Sequence, residues 1–493
     1  MGNFRHAVFE HKPERQELSM SPAYADALTF VQNLTPTWVK SQQAMLAYLL
    51  CAMAERPSLC LSELARALPD GPHAQSQQSL HGRLKRLNRF LDNPRLDEPE
   101  IFLRWYRLAV HFSADVPEAP DLLPILLDTT YFEPFAALVA SVPCGGRALP
   151  IAFTTYHRRT LQACFPPVER WPKPEATVAR PARRQRQALR AASAQVACWA
   201  SQNHIEEQLL HYLWSFLTPT QNTVIVADAG FARASLFRWF LSQQRQFVIR
   251  FDADTWLHLP DGTAAAVEPL LAVRPGQTIW LPHALYGKEA QVPVAVLALW
   301  DVGQKEPWYL ATNLANAHST ETCYRWRMRI EAANRDEKTG VILREGGDDH
   351  QMTSLLHLHR LLLVNICLHW LAALTGLQAH HDLPEPPDVA PALEHIAPDC
   401  PDLDLFDHGP AQPPAVIPHR GLQPKLPHWM RRFACRGCLS YVRLGMEVLR
   451  DPHFATLVRR AVRWLGLYLW TMSPLWLPWH QRYRRKHWWP VPV

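Results

Sequence analysis

Four side chains within Glu321–Gly340 have the types and spacing to do chemistry together. Tyr324, Arg327, Glu331 and Lys338 are offset by three, seven and fourteen residues, and at about 100° per helical residue they fall within roughly 60° of one another. One helix face then carries a phenol, a guanidinium, a carboxylate and an ammonium. Such a face suits a polyanion being cut: the carboxylate can hold a hard cation while the flanking cations grip phosphate oxygens, Arg bidentately. A solvated helix with ordinary i,i+4 pairing, such as Arg327 with Glu331, has the same composition. The helix alone does not decide between them.

Two more acids stand where strands would deliver them. The apolar run Leu122-Leu-Pro-Ile-Leu-Leu closes on Asp128, and Thr223-Val-Ile-Val-Ala closes on Asp228, which is followed by Ala-Gly-Phe231. A short apolar run ending in Asp reads as a buried strand with a carboxylate at its end. Each Asp taken singly is equally a cap or a turn residue.

The order Asp128, Asp228-x-Gly-Phe231 and Tyr324-x2-Arg-x3-Glu-x6-Lys338 resembles the signature of the bacterial cut-and-paste DDE transposases of the fourth insertion-sequence family. The resemblance covers about residues 118–376. It implies an RNase H-like core in which Asp128, Asp228 and Glu331 hold two Mg²⁺ or Mn²⁺ ions for phosphoryl transfer. It also implies that Tyr324, Arg327 and Lys338 contact terminal phosphates, in a homodimer that bridges two inverted-repeat ends of double-stranded DNA. Arg250, after the second Asp, is a further phosphate contact or an ion-pair partner of a nearby acid. Two positions depart from the family pattern: Asn334 precedes Arg335 where an aromatic is usual, and Ala229 replaces a common basic residue.

These residues need elements to hold them. The predicted fold class is α/β, with an RNase H-like mixed sheet core, a β-rich insertion, an all-α N-terminal domain and a helical C-terminal extension. Leucines recur at helical spacing from about Pro36 to Phe112. The last of these helices carries Arg83, Lys85, Arg86 and Arg89, either a solvated basic face or a DNA-reading one that takes Arg83 and Arg86 to DNA. The predicted division is a helical DNA-binding region (1–115), a first core part (118–251), the insertion (252–309), a second core part with the Glu-bearing helix (310–380), a Pro-rich linker (381–427) and a basic, aromatic C-terminal region (428–493). Within the insertion, Trp300 and Trp308 are either core packing or a wedge against unstacked bases. The Arg- and Pro-rich stretch 158–190 is a solvated loop or a phosphate-contacting strip.

Composition agrees with this and narrows little. The 493 residues are 48% hydrophobic, enough for a sizeable core, and the net charge of +6 permits a nucleic-acid partner without demanding one. Ten cysteines without framework spacing, and the lack of a signal peptide, point to reduced thiols in a cytoplasmic, nucleoid-associated protein. Cys435-Arg-Gly-Cys438 is half of a zinc pattern with no second half. The apolar run Leu355–Leu377 is broken by His357, His359, Arg360, Asn365 and His369, so it reads as a buried core helix, and no membrane role is implied. Two other functions use the same residues: a DNA-binding protein without catalysis, such as a decayed copy, and a two-metal nuclease without strand transfer.

Overall fold

Apolar runs in the middle of the chain assemble into one twelve-stranded mixed sheet. The computed structural model describes residues 22–56, 58–68, 79–96, 98–113, 122–144, 147–164, 196–199, 201–215, 222–338, 354–381, 441–450 and 455–471. The linker from 382 to 427, the Cys435–Cys438 pair, most of 158–190 and the Trp-rich end after Thr471 lie outside the described residues.

Five helices come first: α1 (Pro22–Leu34), α2 (Lys40–Glu55), α3 (Leu61–Ala67), α4 (Leu80–Leu91) and α5 (Glu98–Ser113). The basic helix α4 starts at Ser79, whose hydroxyl accepts the Gly82 N–H at 3.2 Å, an N-cap the sequence supplies directly. Strands β1 (Leu123–Phe132), β2 (Phe135–Cys144) and β3 (Arg147–His157) then form an antiparallel meander, extended by β4 (Gln162–Cys164) and β5 (Val196–Cys198). After α6 (Gln202–Trp214), β6 (Thr223–Ala227) pairs parallel with β1. Helix α7 (Ala234–Ser242) leads to β7 (Gln246–Phe251), which is parallel to β6.

The remaining strands continue the same sheet. They are β8 (Trp256–His258), β9 (Ala264–Ala266), then after the short α8 (Val267–Leu271) β10 (Gln277–Tyr286), β11 (Val292–Trp300) and β12 (Trp308–Thr312). Since β12 pairs antiparallel with β7, the segment expected as an insertion widens the core sheet, in the order β5-β4-β3-β2-β1-β6-β7-β12-β11-β10-β8-β9. Helix α9 (Ala317–Lys338) lies on one face. On it Cys323, Tyr324 and Trp326 pack with Leu126, Val224, Val226, Val248, Leu297, Leu299 and Leu310 of the strands. Helices α6 and α7 cover the other face, and α5 and the long α10 (Leu355–His381) pack against the β2–β4 side of the sheet.

Helix α10 is long and apolar enough to cross a membrane, yet 94% of its most apolar window is buried inside the protein, as a core helix requires. Two of its polar interruptions join it to the core. Arg360 lies 2.7 Å from Glu98 of α5, and His359 bridges Glu98 at 2.9 Å and Thr155 of β3 at 3.0 Å. All of these side chains are buried.

Two more helices, α11 (Tyr441–Arg450) and α12 (Ala455–Thr471), pack against α1, α2 and α10. Gly445 makes the α10–α11 crossing possible: a Cβ added there would stand 1.7 Å from the Ala372 carbonyl oxygen. Gly445→Ala is therefore expected to destabilise the protein by about 3 kcal/mol, the upper end of overpacking costs. A urea midpoint matching the parent protein's would show that the two helices part without cost.

Candidate metal and nucleic-acid site

Strand alternation and register bring the first two acids together. The β1–β6 parallel ladder runs from Leu123↔Thr223 to Leu126↔Val226. Leu126 and Val226 both point to the α9 face. Side chains alternate along an extended chain, so two residues further on Asp128 and Asp228 also face α9 from neighbouring strand positions. The sequence reading places Asp128 at the end of its strand. In fact β1 continues to Phe132 as a hairpin with β2, and what ends near Asp128 is its parallel partner β6.

The Asp228 carboxylate is fixed by its own turn and by α9. Oδ1 accepts the Gly230 N–H at 3.1 Å, and Arg327 donates from Nη2 to Oδ2 at 3.0 Å. The same alternation that turns Val248 toward α9 turns Arg250 toward it, and Arg250 pairs with Glu306. Tyr324 is fully buried, with its ring 5.0 Å from Trp308 in an edge-on contact. Burial pushes its phenol above the ordinary range, against the opposing pull of Arg327 and of Arg250, which is hydrogen-bonded to it. Asp128, Asp228, Arg250, Tyr324 and Arg327 thus share one face of the sheet.

The other expected residues stand differently. Glu331 follows Arg327 by one turn of α9, about 6 Å along the axis, and Lys338 closes that helix about 16 Å beyond Arg327. Their side chains lie outside the described residues. Arg83 and Arg86 belong to α4 and do not share this site. Arg83 donates to the Arg66 carbonyl at 3.1 Å, and Arg86 lies over the Tyr48 ring at 5.8 Å. Trp300 donates its indole N–H to the Gln304 carbonyl at 3.1 Å, and Trp308 packs on Tyr324, so both tryptophans are engaged within the protein. The sequence reading missed Glu306. It lies 56 residues from Arg250 in a polar turn, where nothing local marks it as a partner.

Chemically, two carboxylates on adjacent strands with an arginine against one of them fit a hard divalent cation and a phosphate competing for the same charges. Among the described residues, no three His, Cys, Asp or Glu side chains cluster closely enough to hold a metal ion. The described donor set is the pair Asp128 and Asp228. Arg327 stands against Asp228 where a cation would bind, so Arg327→Met is expected to tighten Mn²⁺ binding to the DNA-free protein. The gain would be up to about fivefold, the worth of a partly exposed ion pair. Weaker Mn²⁺ binding in a calorimetric titration would rule out that competition.

Residues 203–371 match the family model described as the transposase DDE domain. No curated protein matches the chain. The matched segment contains Asp228, Arg250, Tyr324, Arg327 and Glu331 and begins after Asp128. The match supports a DDE transposase, which is a DNA-binding and DNA-cleaving enzyme of a class that generally uses divalent metal ions.

Proposed function

We propose that this chain is a cut-and-paste DNA transposase of the Tyr-Arg-Glu-Lys type, acting at terminal inverted repeats by phosphoryl transfer. The observation that carries the reading is the placement of Asp128 on β1 and Asp228 just past the end of its parallel neighbour β6, under a helix whose Arg327 already grips one of them. The strand order β3-β2-β1-β6-β7, with β1, β6 and β7 parallel, supports an RNase H-like core.

Asp128, Asp228 and Glu331 would hold two Mg²⁺ or Mn²⁺ ions, which activate a water or 3′-hydroxyl and stabilise the leaving oxygen of an in-line displacement. The chain's own residues do the rest. Arg327 and Lys338 offer cationic contacts to the phosphates flanking the scissile bond, and the buried Tyr324 phenol keeps Arg250 and Arg327 oriented toward it. Arg250 would exchange Glu306 for a phosphate oxygen when DNA arrives. The basic helix α4, with Arg83 and Arg86, would add contacts to a more distant part of the duplex. Two such chains would bridge the two ends in the cell's cytoplasm, at the nucleoid.

The test is Mg²⁺- or Mn²⁺-dependent cleavage of DNA carrying the element's own ends, followed by joining to a target duplex. Cleaved and joined products support the transposase. Cleavage without joining leaves a nuclease, and binding without cleavage leaves a non-catalytic DNA-binding protein.

A further inference from the structure

We propose that Thr129, Tyr156, Glu206 and Arg233 form a polar chain, buried at Tyr156 and Glu206, on the far side of the sheet that positions Asp128 and Asp228 relative to each other. The inference rests on the reading of those two aspartates as metal ligands. It starts from a gap in the backbone bonding. The described β1–β6 ladder ends at Leu126↔Val226, two residues short of both acids. Carboxylates that share ions must nonetheless keep their geometry to within roughly half an ångström.

The polar chain spans that gap on the opposite face. Asp128 faces α9, so its neighbour Thr129 faces α6. There it stands in hydrogen-bonding position to the Tyr156 hydroxyl of β3. Tyr156 is 2% exposed, and burial pushes its phenol up, with Tyr131 and the Glu206 carboxylate of α6 adding to the effect. Glu206, itself 2% exposed, takes the Arg233 guanidinium and a hydrogen bond from Gln202 Nε2 at 3.0 Å. Arg233 also stands 3.8 Å from Glu207.

Arg233 ends the turn that begins at Asp228. Between them Phe231 is buried, and the Tyr286 hydroxyl donates to the Ala232 carbonyl at 3.3 Å. The acid-bearing turn is thus anchored at one end by β6 and at the other by Glu206. Tyr156, within the field of the same Glu206 carboxylate, meets the residue next to Asp128. Burying an ion pair is a weak source of stability compared with apolar packing. Fixing the distance between a position within β1 and the end of β6 is a task that apolar packing performs less directionally.

The experiment measures Mn²⁺ binding to the full-length, DNA-free protein by calorimetry and by electron paramagnetic resonance. The variants are Tyr156→Phe, Glu206→Gln and Arg233→Lys, with circular dichroism and melting curves confirming that each is folded. Each variant is expected to bind Mn²⁺ roughly tenfold more weakly, at the lower end of losses from residues that support metal ligands. Tyr156→Phe combined with Arg233→Lys should lose less than the product of the two single losses, because they interrupt one chain. Gly445→Ala, which loosens a distant helix crossing, should leave Mn²⁺ affinity unchanged. Parent-like affinity in all three folded variants overturns the proposal, as does an equal loss in Gly445→Ala. A parent protein that neither binds Mn²⁺ nor cleaves DNA overturns the metal-site reading itself.

Discussion

Asp128→Asn is expected to lower Mg²⁺-dependent cleavage of the element's ends by about a thousandfold or more, the scale set by removing one electrostatic stabiliser from a preorganised site. The substitution keeps the size of the side chain and an oxygen acceptor, and the β1–β2 pairing at Asp128↔Val139 uses only backbone groups. Circular dichroism and a melting curve check that the variant is folded. DNA binding should hold or tighten slightly, because one negative charge has left a surface that meets a polyanion. Glu331→Gln is expected to behave alike. Asp228→Asn should also abolish cleavage but is a less clean variant, since Arg327 would lose the charge it now holds at 3.0 Å. Single-turnover cleavage on an end-labelled duplex, with binding followed by mobility shift, reads both quantities. Cleavage by Asp128→Asn within tenfold of the parent would remove this carboxylate from the chemistry.

Glu98→Ala is expected to cost about 3–5 kcal/mol, because removing one partner of a buried ion pair leaves the other charge desolvated. Glu98 is fully buried and joins Arg360 and His359 of α10 to α5. Replacing both Glu98 and Arg360 with methionine should recover much of the loss, since an apolar pair of similar volume avoids the desolvation altogether. Urea unfolding of the two variants checks this, and a double variant no more stable than Glu98→Ala would refute it. Burial alone would raise the Glu98 carboxyl, but Arg360 and His359 outweigh it and hold the group below its ordinary value of 4.5. The folded state then binds the proton less readily than the unfolded one. The contribution to stability is complete above pH 4.5 and declines as the pH falls through the lowered value.

Asp128 and Asp228 stand out in the sequence because their signals are local. An apolar run that stops at Asp128 or Asp228 records burial and its end within a few residues, and the face made by Tyr324 and Arg327 follows from helical geometry alone. Helix α10 was equally legible: His359 and Arg360 inside an apolar run mark a helix buried in protein rather than lipid. What was not legible depends on residues far apart in the chain. No local pattern tells β12 to pair with β7, so the reading of the segment around β8–β12 as β-rich did not include the way it extends the core sheet. Arg250 found Glu306, and Arg360 found Glu98, across separations that periodicity does not encode. The continuation of β1 beyond Asp128 was obscured because Thr129, Thr130 and Tyr131 read as the start of a polar turn.

The packing of α12 against α1 sets an order of events during synthesis. The Asn33 side chain donates to the Val462 carbonyl at 3.3 Å, Gly466 lies against Asn33, and Arg459 faces Asp26 at 3.6 Å. Helix α1 therefore receives this neighbour only after residue 471 has been made. Contacts of such sequence separation form late, and until they form the apolar sides of α1 and α10 stay uncovered. A nascent or truncated chain that stops before Tyr441 is consequently an aggregation-prone species, while one extended through Thr471 can close its helical layer.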